Sequence, residues 1–200
     1  MGMRPLAPVR CASAQDVTDT AGRPDGRLRL FFALWPGAAT AAALYARACA
    51  LKAECDGRAM RRDTIHLTLA FLGEVPSCDL AALSAIAAGI GGARFTLELD
   101  HVGTWRGNRI LWTGPSCLPP ALVALGQTLA DCLRAAGFAL EQRAFTPHVT
   151  LVRNARRTPQ AGETHALHWR VASFVLVASE RGTAGAHYRV IGRWRLRENR

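Results

Sequence analysis

Thr64-Ile65-His66-Leu67-Thr68-Leu69-Ala70-Phe71-Leu72-Gly73 reads as a β-strand, and its pattern returns downstream in Phe145-Thr146-Pro147-His148-Val149-Thr150-Leu151-Val152-Arg153. Each stretch sets His-x-Thr inside an apolar run. In an extended strand, residues i and i+2 point to the same face. His66 and Thr68 therefore share one face, and Ile65, Leu67 and Leu69 share the other; His148 and Thr150 repeat this over Val149 and Leu151. A single copy would be a half-buried polar face with no chemistry. Two copies point to a chain organised to bring the motif strands face to face. An imidazole, with an ordinary pKa near ~6.5, takes or gives a proton at neutral pH. A hydroxyl donates a hydrogen bond to a phosphate oxygen.

Outward from the first motif, residues 28–34 (Leu-Arg-Leu-Phe-Phe-Ala-Leu) read as the opening strand, stopped by Trp35-Pro36-Gly37. Pro36 can open a helix running to about Glu54. Residues 57–63 form a loop carrying Arg58, Arg61 and Arg62. The first motif strand ends at Gly73, and a second helix covers residues 78–89. Residues 95–99 alternate as a strand does, residues 102–107 read as a turn region, and residues 108–113 return as the hairpin partner. Pro119-Pro120 opens a third helix with Leu122, Leu125, Leu129, Cys132 and Leu133 at helical spacing and Gly137 as its cap. After the second motif strand, residues 154–164 are polar and basic and read as a loop. Residues 170–179 and 188–196 are the last strands. The order β-α-β-α-β-β-α-β-β-β places a helix before each motif strand. It predicts an α+β fold of two pseudo-symmetric lobes from an internal duplication, with antiparallel sheets lining a central cleft and helices outside.

Composition frames this reading. Two hundred residues at 50% apolar content suit one sizeable domain with a real core. Residues 1–26, with Pro5, Pro8, Gly22, Pro24 and Gly26, read as a flexible tail whose charges cancel, leaving the formal charge of +10 on a single domain over residues 27–200. Of 25 basic residues, all but Lys52 are arginine. Arginine forks match phosphate oxygens in pairs, so the surplus favours a polyanionic partner; genome base bias produces the same excess, so charge alone decides nothing. The six cysteines form no C-x-x-C pair and suggest neither zinc nor a disulfide framework. Buried, reduced thiols in a cytoplasmic protein fit best. No apolar run reaches the ~18 residues of a membrane span, and no secretory leader is evident.

Two imidazoles and two hydroxyls across a cleft suit in-line attack at phosphorus. A neutral histidine takes a proton from water and a protonated one gives a proton to the leaving oxygen, each role worth ~10²–10⁴ in rate. Thr68 and Thr150 would hold the non-bridging oxygens. The scheme needs no metal and no cofactor. His165 and His168, three residues apart, have no Cys or acidic partner at ligand spacing. His101 and His187 read as surface or turn residues, and Trp105, Trp112, Trp169 and Trp194 as core or cleft wall.

His66-Leu67-Thr68-Leu69 and His148-Val149-Thr150-Leu151 resemble the tandem HxTx signature of the 2H (two-histidine) phosphoesterases. Within them the chain resembles the bacterial and archaeal RNA 2′,3′-cyclic phosphodiesterases, also called 2′-5′ RNA ligases. The likeness extends over roughly residues 28–196 through Arg29-Leu30-Phe31-Phe32-Ala33-Leu34, Gly73-Glu74-Val75, Pro147 to Arg153, and Ser179, Gly185 and Tyr188. It implies hydrolysis of an RNA terminal 2′,3′-cyclic phosphate to a 2′-phosphate. By the same likeness His66 is the proton donor to the 3′ oxygen, His148 the proton acceptor from water, and Arg153 the cation that neutralises the phosphate. Phe32 is a candidate for packing near the base or cleft. The implied partner is RNA with a cyclic phosphate end, such as tRNA halves or oligonucleotides, met by a monomer with no membrane or metal. Three other readings use the same cleft: an RNA-binding module without turnover, 2′-5′ ligation as the reverse reaction, and a phosphodiesterase for small cyclic nucleotides.

Overall fold

The computed structural model describes residues 26–141, 145–157, 162–182 and 185–198. The tail expected over residues 1–26 lies outside this range except for Gly26, whose carbonyl accepts the Ser77 N–H at 2.8 Å. The order is β1 (Arg27–Leu34), α1 (Ala38–Cys55), β2 (Arg58–Ala59), β3 (Leu67–Pro76), α2 (Leu80–Gly89), β4 (Phe95–Trp105), β5 (Ile110–Gly114), α3 (Pro120–Ala135), β6 (Val149–Arg153), β7 (Gly162–Val171), β8 (Ser173–Gly182) and β9 (Gly185–Arg195).

All strands join one antiparallel sheet in the order β7-β4-β5-β6-β3-β1-β8-β9, with β2 pairing β6. The fold class is α+β, as expected. The two expected lobes are two halves of this single sheet. They meet where the motif strands β3 and β6 lie side by side, through one paired position, Leu67 opposite Val149. Those are the middle residues of the two His-x-Thr triplets. Antiparallel pairing at that point sets His66 beside Thr150 and Thr68 beside His148.

The sheet has a helix-covered face and an open face, and alternation along the strands decides which side chain goes where. Leu28, Leu30, Phe32 and Leu34 of β1 enter the main core with Leu44 and Ala48 of α1, Leu83 and Ala87 of α2, and Leu122, Leu125, Leu129 and Leu133 of α3. The intervening Phe31 and Ala33 lie on the other face in a smaller cluster with Val175 and Val177, fringed by Trp35, Phe71 and Tyr188. Helix α3 begins at Pro120, with Pro119 as N-cap. It closes with Gly137 N–H on the Arg134 carbonyl and Phe138 N–H on the Leu133 carbonyl, the paired bonds of a Schellman end.

Several elements depart from the sequence reading. Strand β3 runs past Gly73 to Pro76, because a bulge lies opposite Leu30 and Phe31 and pairing resumes beyond it. Strand β4 continues to Trp105 in the stretch read as a turn, pairing His101–Trp105 with Ile110–Gly114, and the chain reverses in a 3₁₀ turn, Arg106–Asn108. Gly103 there is a close approach: a Cβ on it would stand 2.1 Å from the Trp112 ring opposite. The stretch read as a loop at 57–63 holds the short strand β2 and the start of a 3₁₀ turn, Arg62–Thr64, which takes in the first residue of the expected motif strand. Strand β7 starts at Gly162, inside the stretch read as a loop. Cys49, Cys78, Cys117 and Cys132 are exposed, and only Cys55 of the five described cysteines is buried. Cys49 and Cys132 fall on the outer faces of α1 and α3, so buried thiols were the wrong expectation; Cys11 lies outside the described residues.

Candidate active site

His66 and His148 each stand one residue ahead of a strand, at the centre of the open face. Their rings are held alike. The His66 Nδ1–H donates to the Thr64 carbonyl at 2.7 Å, and the His148 Nδ1–H donates to the Thr146 carbonyl at 2.8 Å. A carbonyl only accepts, so Nδ1 carries the proton in both rings and Nε2 is the working nitrogen. The two holders are built differently. Thr64 closes the 3₁₀ turn, its N–H and its hydroxyl both donating to the Arg61 carbonyl at 3.0 and 2.9 Å. Thr146 precedes Pro147, which restricts it to extended backbone.

These rings border a cavity of about 190 Å³ lined by Arg29, Phe31, Thr68, Thr150, Arg153 and Tyr188 among others. All four motif side chains and Arg153 converge there, as the sequence predicts. Phe32 does not. It is fully buried on the helix side, 6.2 Å from the Phe174 ring and 5.9 Å from the Trp194 ring. Its neighbour Phe31 takes the cleft position, because adjacent strand residues point to opposite faces. Sequence reading missed Phe31, Arg29 and Trp35 as site residues. Two apolar aromatics in succession conceal which one faces the cleft.

The environments of the two histidines differ. His66 sits in an aromatic enclosure: stacked on Trp35 at 5.4 Å, tilted to Phe31 at 4.8 Å and edge-on to Tyr188 at 5.2 Å. His148 meets the edge of Trp105 at 4.4 Å and is more open. Burial pushes the His66 pKa down to about 4, reinforced by Arg153 and His148 and opposed by the Thr64 carbonyl. His148 is also lowered, by burial first and Arg153 after it. Both rings are therefore neutral at pH 7 in the unliganded protein, and the positive charge lining the cavity is that of Arg29 and Arg153.

A bound anion reverses this. It stabilises an imidazolium, so pKa values rise in the complex and a proton is taken up on binding. Sulfate, which does not titrate above pH 5, should bind more tightly as pH falls from 8 to 5.5. The measurement is calorimetry in two buffers of different ionisation enthalpy; binding with no proton uptake at pH 6 would contradict the assignment of the neutral rings.

The cleft lining includes no Asp or Glu, and no group of three or more His, Cys, Asp or Glu side chains poised for a metal occurs among the described residues. His165 and His168 lie on β7 and His101 on β4, in the half of the sheet that carries β6, and none of them lines this cavity. Trp105 and Trp112 belong to the His148 surroundings, whereas Trp169 and Trp194 belong to the core.

Comparison with known proteins fits this geometry. The sequence profile of the 2'-5' RNA ligase superfamily matches residues 38–183, both motifs included. The RNA 2',3'-cyclic phosphodiesterase of Escherichia coli (strain K12) is 36% identical over 174 residues, spanning 84% of this chain and 96% of that protein. The crystal structure of E. coli LigT in apo form superposes with a TM-score of 0.76 at 33% identity, over 86% of this chain and 98% of that one. The same enzyme complexed with 3'-AMP gives 0.75 at 32%, over 85% and 98%. Matched over residues 38–183, through both motif strands, and by such a relative over 84% of its length, the chain belongs to the 2'-5' RNA ligase superfamily.

Proposed function

We propose that this protein hydrolyses the 2′,3′-cyclic phosphate at the 3′ end of RNA to a 2′-phosphate, by metal-independent acid–base catalysis. The observation that carries the reading is the pair of like-held imidazoles, each beside a threonine, on the two strands that meet at the sheet centre. His148 Nε2 accepts a proton from water as the water oxygen bonds to phosphorus. The P–O3′ bond breaks, and His66 Nε2–H delivers its proton to the departing 3′ oxygen. Thr68 and Thr150 donate to the non-bridging oxygens, and Arg153 offsets their charge. Burial makes His66 a poor base in the unliganded protein, and the bound phosphate offsets that penalty so that the ring carries the proton it delivers. A cleft lining without carboxylates supports a metal-free route. The free thiols support a reducing, cytoplasmic setting.

The test is hydrolysis of a short RNA ending in a 2′,3′-cyclic phosphate, in excess EDTA, with 2′- and 3′-phosphate products resolved. A 2′-phosphate formed at full rate is the expected outcome. A 3′-phosphate would exchange the leaving oxygen, and binding without turnover would leave an RNA-binding module.

A further inference from the structure

The catalytic cavity shares Met60, Thr64, Arg153 and Tyr188 with a second cavity of about 340 Å³, whose lining adds Arg58 and Arg61. Its lining holds three arginines and no carboxylate. Arg61 is paired with Asp63. Arg58 and Arg153 have no ion-pair partner among the described residues. Moreover, these two stand directly opposite each other in the β2–β6 pairing. Like charges at opposed positions destabilise a sheet, yet this fold clamps them there. Ala59 pairs with Val152, the Met60 N–H donates to the Leu151 carbonyl at 2.8 Å, and Gly57 lies so close that a Cβ would meet Val152 at 2.5 Å. With the backbone fixed at this pairing, two uncompensated arginines projecting from opposed positions make a site for an anion.

Its position says which anion. On the function proposed above, the ribose that releases its 3′ oxygen lies on the His66 side, and the attacking water lies on the His148 side. The arginine cavity extends from the His66 side, past Tyr188, whose ring packs on His66. The substituent of that ribose which continues the chain is its 5′ oxygen. We infer that Arg58 binds the phosphate on the 5′ side of the terminal nucleotide, with Arg153 shared between this phosphate and the reacting one. The enzyme thus selects a chain end, or a 5′-phosphorylated nucleotide, over a bare cyclic nucleoside phosphate.

This inference rests on the proposed reaction, so the test separates them. Binding of adenosine 2′-phosphate and adenosine 2′,5′-bisphosphate, both product-like and inert, reads the second phosphate without turnover. Wild-type protein should prefer the bisphosphate by about tenfold or more. Arg58→Ala should remove most of that preference, and the salt dependence of bisphosphate binding should fall by about one charge. Arg58→Lys should restore part of the preference. Equal affinities in wild type, or an Arg58→Ala loss equal for both ligands, would overturn the inference. Hydrolysis of adenosine 2′,3′-cyclic phosphate by the wild type, measured alongside, reports separately on the reaction itself.

Discussion

His148→Ala should lower kcat for cyclic phosphate hydrolysis by ~10²–10⁴, and His66→Ala by a similar factor, with the fold retained. The double variant should be little worse than the worse single one, because acid and base act within one displacement and their effects do not add. Neither side chain belongs to the main core, so thermal unfolding should move little in His148→Ala. The pH profiles distinguish the two roles. The kcat/KM profile reports free-enzyme ionisations, where His66 titrates at about 4 and His148 below its ordinary value. The kcat profile reports the complex, where the bound anion has raised His66. The alkaline limb of kcat should therefore lie at higher pH than that of kcat/KM, and His66→Ala should abolish that limb. Full activity in either alanine variant, or coincident limbs, would reject the acid–base pair.

Much of this site was legible in the sequence because His-x-Thr on a strand is a statement about one face, and the face survives errors in strand boundaries. Both histidines precede the strands assigned to them, yet His66, Thr68, His148 and Thr150 still converge, since extended backbone keeps i and i+2 together. What the sequence concealed had two causes. Where both faces of a strand are apolar, as in β1, alternation cannot say which is which, so Phe31 and Phe32 could not be ordered. Where an arginine acts through a cross-strand neighbour distant in sequence, as Arg58 does with Arg153, only the β2–β6 pairing exposes it. A loop of arginines has the same sequence signature whether its charges are solvated or opposed. The turn read over residues 102–107 comes only after Trp105, at Arg106–Asn108; Gly103 marks space taken by the Trp112 ring and not the reversal itself.

The adjacent phenylalanines supply the second large effect, on stability. Phe32→Ala should cost about 3–5 kcal/mol, because the ring is wholly enclosed by Phe174, Trp194 and the helix layer and leaves a cavity that a sheet interior cannot close. At ~2–4 °C per kcal/mol for a chain of this size, Tm should fall by roughly 6–20 °C. Activity at low temperature should persist in the folded fraction, since Phe32 touches no cleft residue named above. Phe31→Ala should behave in the opposite way. Its ring covers His66 at 4.8 Å within the small open-face cluster, so truncation admits water to the imidazole. The His66 pKa should then rise from about 4 toward its ordinary value, observable by NMR titration, while Tm falls less than in Phe32→Ala. If Phe32→Ala instead shifted the His66 titration and left Tm unchanged, the assignment of the two faces of β1 would be reversed, and with it the identity of the cleft. One strand position therefore separates the residue that holds the sheet to its helices from the residue that keeps the His66 ring dry.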